Sequence, residues 1–503
     1  MEKNSFRGGV VKLLLGIEIT TLFLGIKSFG NKNNTLDDIK LIDSKSNNLF
    51  AIMVKDSSGN YNESSTFPTG AYILNETLSS CVDNNGNKVD NVLSYADGFV
   101  SATTNKTIYC YLYFDKDNSV YVKVLDDYEN NKGVKKTTDE NGKDVYYYAG
   151  NVTNNNLLFN NYCWKMVRTT ETDGVKLLYN GLYSDSTKCN NTGTSVYIDS
   201  NKTAFNTNYN SPAYVGYMYG TVYARSLKSA SSFGTYYYGS DVTWNGTTYT
   251  LSNAESGAIA DMYSKLSNKH YTCLSTSSSC STVYYIYYMG SATSKAYYMT
   301  LTNGKKIDDA LDEMLNYNTT NSNIKTVIDN WYKNNMTNAT NYLENAIYCN
   351  NRYITNLSAS GWNPSGGSLT TYLQFNDYSN YRLTCQDKED QFTLKVDKGG
   401  TIGYGNSALD YPVGLLTIKE ANLAFGGSST NYLNNGDYYW LLSPNNFYDS
   451  YAYVRNVYNG NLSNFYVNYT YGARPAVSLS TKVKLSGEGN GTIESPYILA
   501  PLD

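Results

Sequence analysis

Residues able to do acid–base or nucleophilic chemistry are few here, and poorly grouped. The chain of 503 residues holds one histidine, His270. A lone imidazole excludes a His-rich metal site and any catalysis needing two of them. With no acid or nucleophile beside it, His270 reads as a loop residue. Asp308/Asp312 and Asp309/Glu313 stand four apart on a predicted helix. That spacing suits a metal or acid–base pair, but it is also the spacing of a solvated helix face, which is the reading adopted. Glu344 and Asp410 lie near aromatic residues and could form a glycosidase pair, although nothing in their spacing favours it. Ser443, followed by Pro444, lacks the glycines of a nucleophile elbow. Asn/Asp-rich loops offer oxygen ligands for calcium but read as turns. No catalytic residue, metal or cofactor is assigned, and the chain reads as a non-enzyme.

What the sequence has in excess is binding chemistry. It contains 53 Tyr and 64 Asn, only 17% charged residues and a formal net charge of −4. Sparse Lys and Arg leave no electrostatic footprint for phosphate, so nucleic acid is not expected as a partner. The excess has two components. One is uniform along the chain, as an AT-rich coding sequence would cause. The other is local: residues 445–471 read NNFYDSYAYVRNVYNGNLSNFYVNYTY. Tyr gives large amphipathic contacts at low entropic cost and Asn and Ser give adaptable hydrogen bonds, the mixture that antibody paratopes favour.

Cysteines and the N-terminus point to export. Eight Cys without a CxxC give no basis for a zinc knuckle or a thioredoxin-like motif. An even number fits an oxidising compartment, and pairing sequence neighbours gives Cys81–Cys110, Cys163–Cys189, Cys273–Cys280 and Cys349–Cys385. Residues 1–30 carry Lys3, Arg7 and Lys12 before apolar runs. They resemble a bacterial export signal or membrane anchor, with Glu18 a costly interruption. The chain is therefore expected outside the cell or on its surface, with membrane attachment through this segment as one option.

The elements that must hold such a surface follow. Residues 31–48 read as a spacer and 49–126 as a small all-β sandwich module, with a strand predicted over 120–125. Residues 127–145 read as a linker or hairpin tip. From 146 a second domain begins with a hairpin, 157–168 and 175–179. Residues 190–251 read as loops and short strands. Apolar periodicity predicts helices over 252–266, 306–316 and 321–336, the last with Trp331 on its apolar stripe, and Thr417 with Glu420 makes a capping box for a helix over 417–425. Strands are expected over 451–457, 464–469 and 474–479, with an Asn459–Gly460 turn between the first two. A closing strand and tail fill 486–503.

Five motifs in this order carry a resemblance: LLFNNYCWKMVR at 157–168, IDNWY at 328–332, YPVGLLT at 411–417, YWLLSP at 439–444 and GARPAV at 472–477. They resemble a family of uncharacterised bacterial surface proteins. That family is related to the C-type-lectin-like fold of formylglycine-generating enzymes and of the variable proteins of diversity-generating retroelements. The resemblance spans about 146–485, with an insertion at about 190–316, and implies an α+β C-type-lectin-like domain. It makes Trp164, Trp440, Arg474 and Pro475, beside the helix residue Trp331, scaffold residues. It also implies that the late loops form an exposed ligand face, the place of the variable segment in retroelement-diversified relatives. The candidate contacts are Asn445, Asn446, Tyr448, Asp449, Tyr451, Tyr453, Asn456, Asn461, Asn464, Tyr466, Asn468 and Tyr469. No Cys follows Cys385, so the copper chemistry of the enzymatic branch is not carried over, and the sugar-binding calcium tripeptides of lectins are absent. The expected function is recognition of a glycan or protein in an adhesin-like manner. The alternatives are an enzyme of this fold acting on glycans or peptides, or a passive surface-coat protein.

Overall fold

A computed structural model describes residues 49–502 and the strand Thr20–Gly25, apart from short breaks and the longer stretches 230–240, 251–271, 275–281, 355–371, 375–380 and 396–404. The predicted helix over 252–266, His270 and Cys280, and with Cys280 the expected Cys273–Cys280 bond, lie outside the described residues. The protein is mixed α/β, mostly sheet with few helices. It divides into two compact units, residues 1–125 and 126–503.

The first unit is built on strand pairing. Its larger sheet centres on Ile108–Lys116, which pairs in parallel with Leu49–Lys55 and antiparallel with Ser80–Asp83 and Tyr72–Leu74. Alternate residues Ile108, Cys110, Leu112 and Phe114 are buried and pack with Ile52, Phe67, Leu74 and Cys81. The period of two in the sequence produces this one-sided core. Cys81 and Cys110 stand directly opposite on adjacent strands and are joined. A second sheet holds Leu93–Ala96, Phe99–Thr104 and, within the expected leader, Thr20–Gly25.

Residues 120–125 correct the strand expectation: Val120–Glu129 is a helix, α1. Val-Tyr-Val-Lys-Val alternates like a strand, yet Val120, Val124 and Asp127 are buried at helical spacing, and Ser119 Oγ accepts the Val122 N–H at 3.2 Å as a helix cap. Packing and the cap override β-branched propensity. Of the two readings of residues 127–145, linker or hairpin tip, the second describes what is seen. Val134–Thr138 (β1) and Asp144–Tyr148 (β2) form a hairpin that joins the main sheet of the second unit.

That sheet continues through Asn156–Phe159 (β3), Tyr162–Thr169 (β4) and Val175–Leu182 (β5). It closes with Ala476–Leu479 (β10) beside β5 and Tyr497–Ile498 (β11) parallel to β3, so the opening and closing segments of the unit share one sheet. The β10 strand begins after Pro475 rather than at 474, because proline has no N–H for the ladder. Helices Ile307–Leu315 (α2), Asn323–Asn335 (α3) and Ile418–Phe425 (α4) follow the predicted periodicity. Ser322 caps α3, and the Thr417/Glu420 capping box opens α4. Disulfides join Cys163 to Cys189 and Cys349 to Cys385. Among the described residues no helix is long and apolar enough to cross a membrane.

A second sheet of four strands runs in the order Tyr372–Gln374 (β6), Tyr438–Tyr448 (β7), Tyr451–Tyr458 (β8) and Asn461–Tyr466 (β9). It carries the Tyr/Asn-rich segment.

Candidate functional site: a tyrosine face on the four-stranded sheet

The β8–β9 hairpin is set by its turn. Asn459 and Gly460 both have positive φ, 45° and 70°, the type I′ geometry whose twist matches the flanking strands. Register then follows residue by residue: Tyr458 faces Asn461, Arg455 faces Asn464 and Tyr453 faces Tyr466. Side chains alternate across the strands, so Tyr451, Tyr453 and Tyr466 project on one face.

There they touch. The Tyr466 ring lies 4.6 Å from both Tyr451 and Tyr453, and Tyr469, past the end of β9, stacks on it at 5.8 Å. Tyr209 stacks parallel on Tyr451 at 4.7 Å and 9°, its backbone fixed because the Tyr209 carbonyl accepts the Ala452 N–H at 2.8 Å. Five tyrosines thus form one contiguous group. All are partly or well exposed, Tyr469 by 49%. Phe465 extends the group, 4.5 Å from Tyr469. Elsewhere on the sheet Tyr438 stacks between Tyr458 at 3.8 Å and Tyr471 at 4.7 Å, next to the buried Trp440.

The candidate contacts separate on this geometry. Tyr451, Tyr453, Tyr466 and Tyr469 come together, and Asn461, Asn464 and Asn468 keep solvent access on β9 and just past it. Asn445, Asn446 and Asn456 are corrected: they are 2%, 6% and 0% exposed. Asn445 donates to Asn446 Oδ1 at 2.7 Å, and Asn456 sits mid-strand opposite Ser463 and Trp440, so none offers a surface contact. Tyr448 is in register with Tyr451, and Asp449 lies outside the described residues. Tyr209 escaped the sequence reading because it belongs to the stretch taken as the start of an insertion. Residues 190–221 are integral to the unit instead: Trp440 Nε1 donates to the Thr203 carbonyl at 2.9 Å, and Thr203–Ala204 pairs with Thr470–Tyr471.

Scaffold residues hold the sheets. Arg474 is 1% exposed and donates to the Tyr179 and Leu433 carbonyls at 3.1 and 3.2 Å and to Asn180 Oδ1 at 2.9 Å. Trp164 is fully buried, donates to the Phe159 carbonyl at 3.1 Å, and packs with Trp331 and Tyr179.

Potential chemical groups have other occupations. Ser443 is buried and accepts the Ile418 N–H at 2.9 Å, at the start of α4. Glu344 accepts from Thr170 Oγ1 at 2.6 Å, while Asp410 takes one bond from Lys325, which also reaches Asp329. The two carboxylates considered as a glycosidase pair therefore have separate partners. Burial pushes the Glu344 carboxyl up to about 7, against the bonds from Thr170 and Thr172. Glu420, buried with Lys176 at 2.7 Å and Arg168 at 2.8 Å, is driven up by burial, but those two cations outweigh it and bring it down to about 2. It also closes the α4 capping box by accepting the Thr417 N–H, so it is a structural ion cluster. Asp312 is exposed on α2. Among the described residues no group of three His, Cys, Asp or Glu side chains could hold a metal ion.

Comparison with protein-family models, curated proteins and solved structures gives no match to this chain. The site is therefore read from its own chemistry.

Proposed function

We propose that the protein is an exported or cell-surface recognition protein that binds a glycan or protein ligand through the tyrosine face of Tyr209, Tyr451, Tyr453, Tyr466 and Tyr469. One observation carries the reading: five partly exposed tyrosines in mutual contact, on strands whose register is fixed, with Asn464 on the same face of β9. A preassembled aromatic group loses little rotamer entropy on binding, while its hydroxyls and the amide beside it hydrogen-bond a polar partner. The three disulfides suit an oxidising environment. In this reading the second unit is a C-type-lectin-like domain, supported by the shared sheet of its opening and closing segments and by the late hairpin as the exposed end. Diversification by a retroelement belongs to the same proposal, with the surface positions between 451 and 469 as its targets.

The test is a panel of glycans and bacterial surface proteins probed with the full chain and with Tyr451→Ala/Tyr466→Ala. Loss of the ligand from a variant whose circular dichroism is unchanged supports the reading. Binding of equal strength sinks the site.

A further inference from the structure

The ladder between β7 and β8 begins at Tyr438 and Tyr458, which stand directly opposite each other. Their rings face one another at 3.8 Å with planes 11° apart, and Tyr471 stacks on Tyr438 at 4.7 Å and 12°. Tyr458 is an odd number of residues from Tyr451 and Tyr453, so this column stands on the other face of the sheet from the tyrosine face. Access is graded along it: Tyr458 is 38% exposed, Tyr438 is half-buried and Tyr471 is buried. The bond between the Tyr438 and Tyr458 hydroxyls raises Tyr438 above the ordinary phenol value, so the two oxygens also lie together.

The tyrosine contacts on the other face are looser or tilted. Tyr209 is parallel to Tyr451 but 4.7 Å away, Tyr466 meets Tyr451 and Tyr453 at 4.6 Å with planes turned by 57° and 38°, and Tyr469 is 5.8 Å from Tyr466. Of these pairs, Tyr438 and Tyr458 alone bring whole ring faces to carbon contact distance, about 3.5–4.0 Å. Facing rings at contact are the arrangement in which two phenoxyl radicals join, because the new carbon–carbon bond forms along the ring normals.

We propose that Tyr438 and Tyr458 are a modification site, coupled to a dityrosine by one-electron oxidants of the class that a peroxidase generates from hydrogen peroxide. Each phenol gives up one electron and its hydroxyl proton. The two radicals bond through ring carbons next to the oxygens, and each of those carbons then passes its hydrogen to its own oxygen, which restores both phenols. The two electrons and two protons released reduce one hydrogen peroxide to two waters. The disulfides among the described residues suit a compartment where such oxidants persist. The link closes β7 and β8 at the end remote from their Tyr448–Tyr451 connection. It therefore holds β8, the strand that presents Tyr451 and Tyr453, covalently at both ends, and it does so whether or not that face binds a ligand.

The test treats the full chain with a peroxidase and hydrogen peroxide, beside Tyr438→Phe and Tyr458→Phe, and reads intact mass, dityrosine fluorescence and a tryptic map. Cleavage after Arg455 puts the two tyrosines on different peptides, so their link appears as one branched peptide. The expected result is a monomer lighter by two hydrogens, with that branched peptide in the wild type and in neither variant. Phenylalanine keeps the ring and removes only the hydroxyl at which oxidation starts. A wild-type link that falls on Tyr209 and Tyr451 or on Tyr451 and Tyr466, or that joins separate chains, with none between 438 and 458, overturns the proposal. So does wild-type chain that forms no dityrosine under treatment that couples free tyrosine. If a variant misfolds, fragmentation of the wild-type branched peptide locates the link by itself. The ligand test at Tyr451 and Tyr466 uses untreated protein and is independent of these outcomes.

Discussion

Glu344 shows how burial acts on a single group. Its carboxyl is raised from 4.5 to about 7, chiefly by burial, so the folded protein retains a proton that the unfolded chain releases. The contribution is fully present below about pH 4.5 and is lost as pH rises toward 7. The expected loss across that window is on the order of 3 kcal/mol. Glu344→Gln keeps an acceptor for Thr170 and cannot ionise. Urea unfolding at pH 5 and pH 8 should show the wild type losing stability relative to the variant at the higher pH, and parallel curves would refute the assignment. Residue type alone marked Glu344 as a possible acid. That its partner is Thr170 and not Asp410 is a long-range fact, set by the bridge of Leu343 to Leu479, and no spacing in the chain encodes it.

Elements were legible where their signals are local. The Thr417/Glu420 box is a contact across three residues, and Asn459–Gly460 is a turn defined by two; both stand in the structure as the sequence predicts. The α1 helix was not legible, because Val-Tyr-Val-Lys-Val carries a strand's alternation and only burial of Asp127 one helical turn on reveals the stripe. Tyr209 was hidden for a similar reason: what makes it part of the site is a stack with Tyr451, far along the chain. The hairpin turn gives a prediction at this scale. Gly460 has φ of 70°, a conformation that a β-branched residue resists. Gly460→Val should cost about 1–2 kcal/mol in thermal unfolding and weaken any ligand bound by Tyr451 and Tyr466, since the turn fixes their register. A fully stable variant would show that the turn does not define the hairpin.

At the scale of the molecule, each unit has its own disulfide support. Cys81–Cys110 spans 29 residues in the first, and Cys163–Cys189 and Cys349–Cys385 span 26 and 36 in the second. Closing loops of this size is worth about 3–4 kcal/mol each in the chain-entropy view. Calorimetry should resolve two transitions, both falling on reduction; a single transition indifferent to reductant would contradict the division. The pairings themselves could be read from neighbouring cysteines. The end of the first module, expected at 126, falls at the observed division after Leu125, but that residues 127–145 belong to the second unit is set by the pairing of their hairpin with β4, a contact no local signal encodes.

Recognition through the tyrosine face remains the central claim, and affinity measures it most directly. With the ligand taken from the glycan and protein panel, titration calorimetry on the full chain, Tyr451→Ala and Tyr466→Ala should show each truncation costing about 2 kcal/mol, roughly thirtyfold in Kd, as buried aromatic anchors do. Ala substitutions that leave Kd unchanged, against a ligand the wild-type chain binds, would contradict the account.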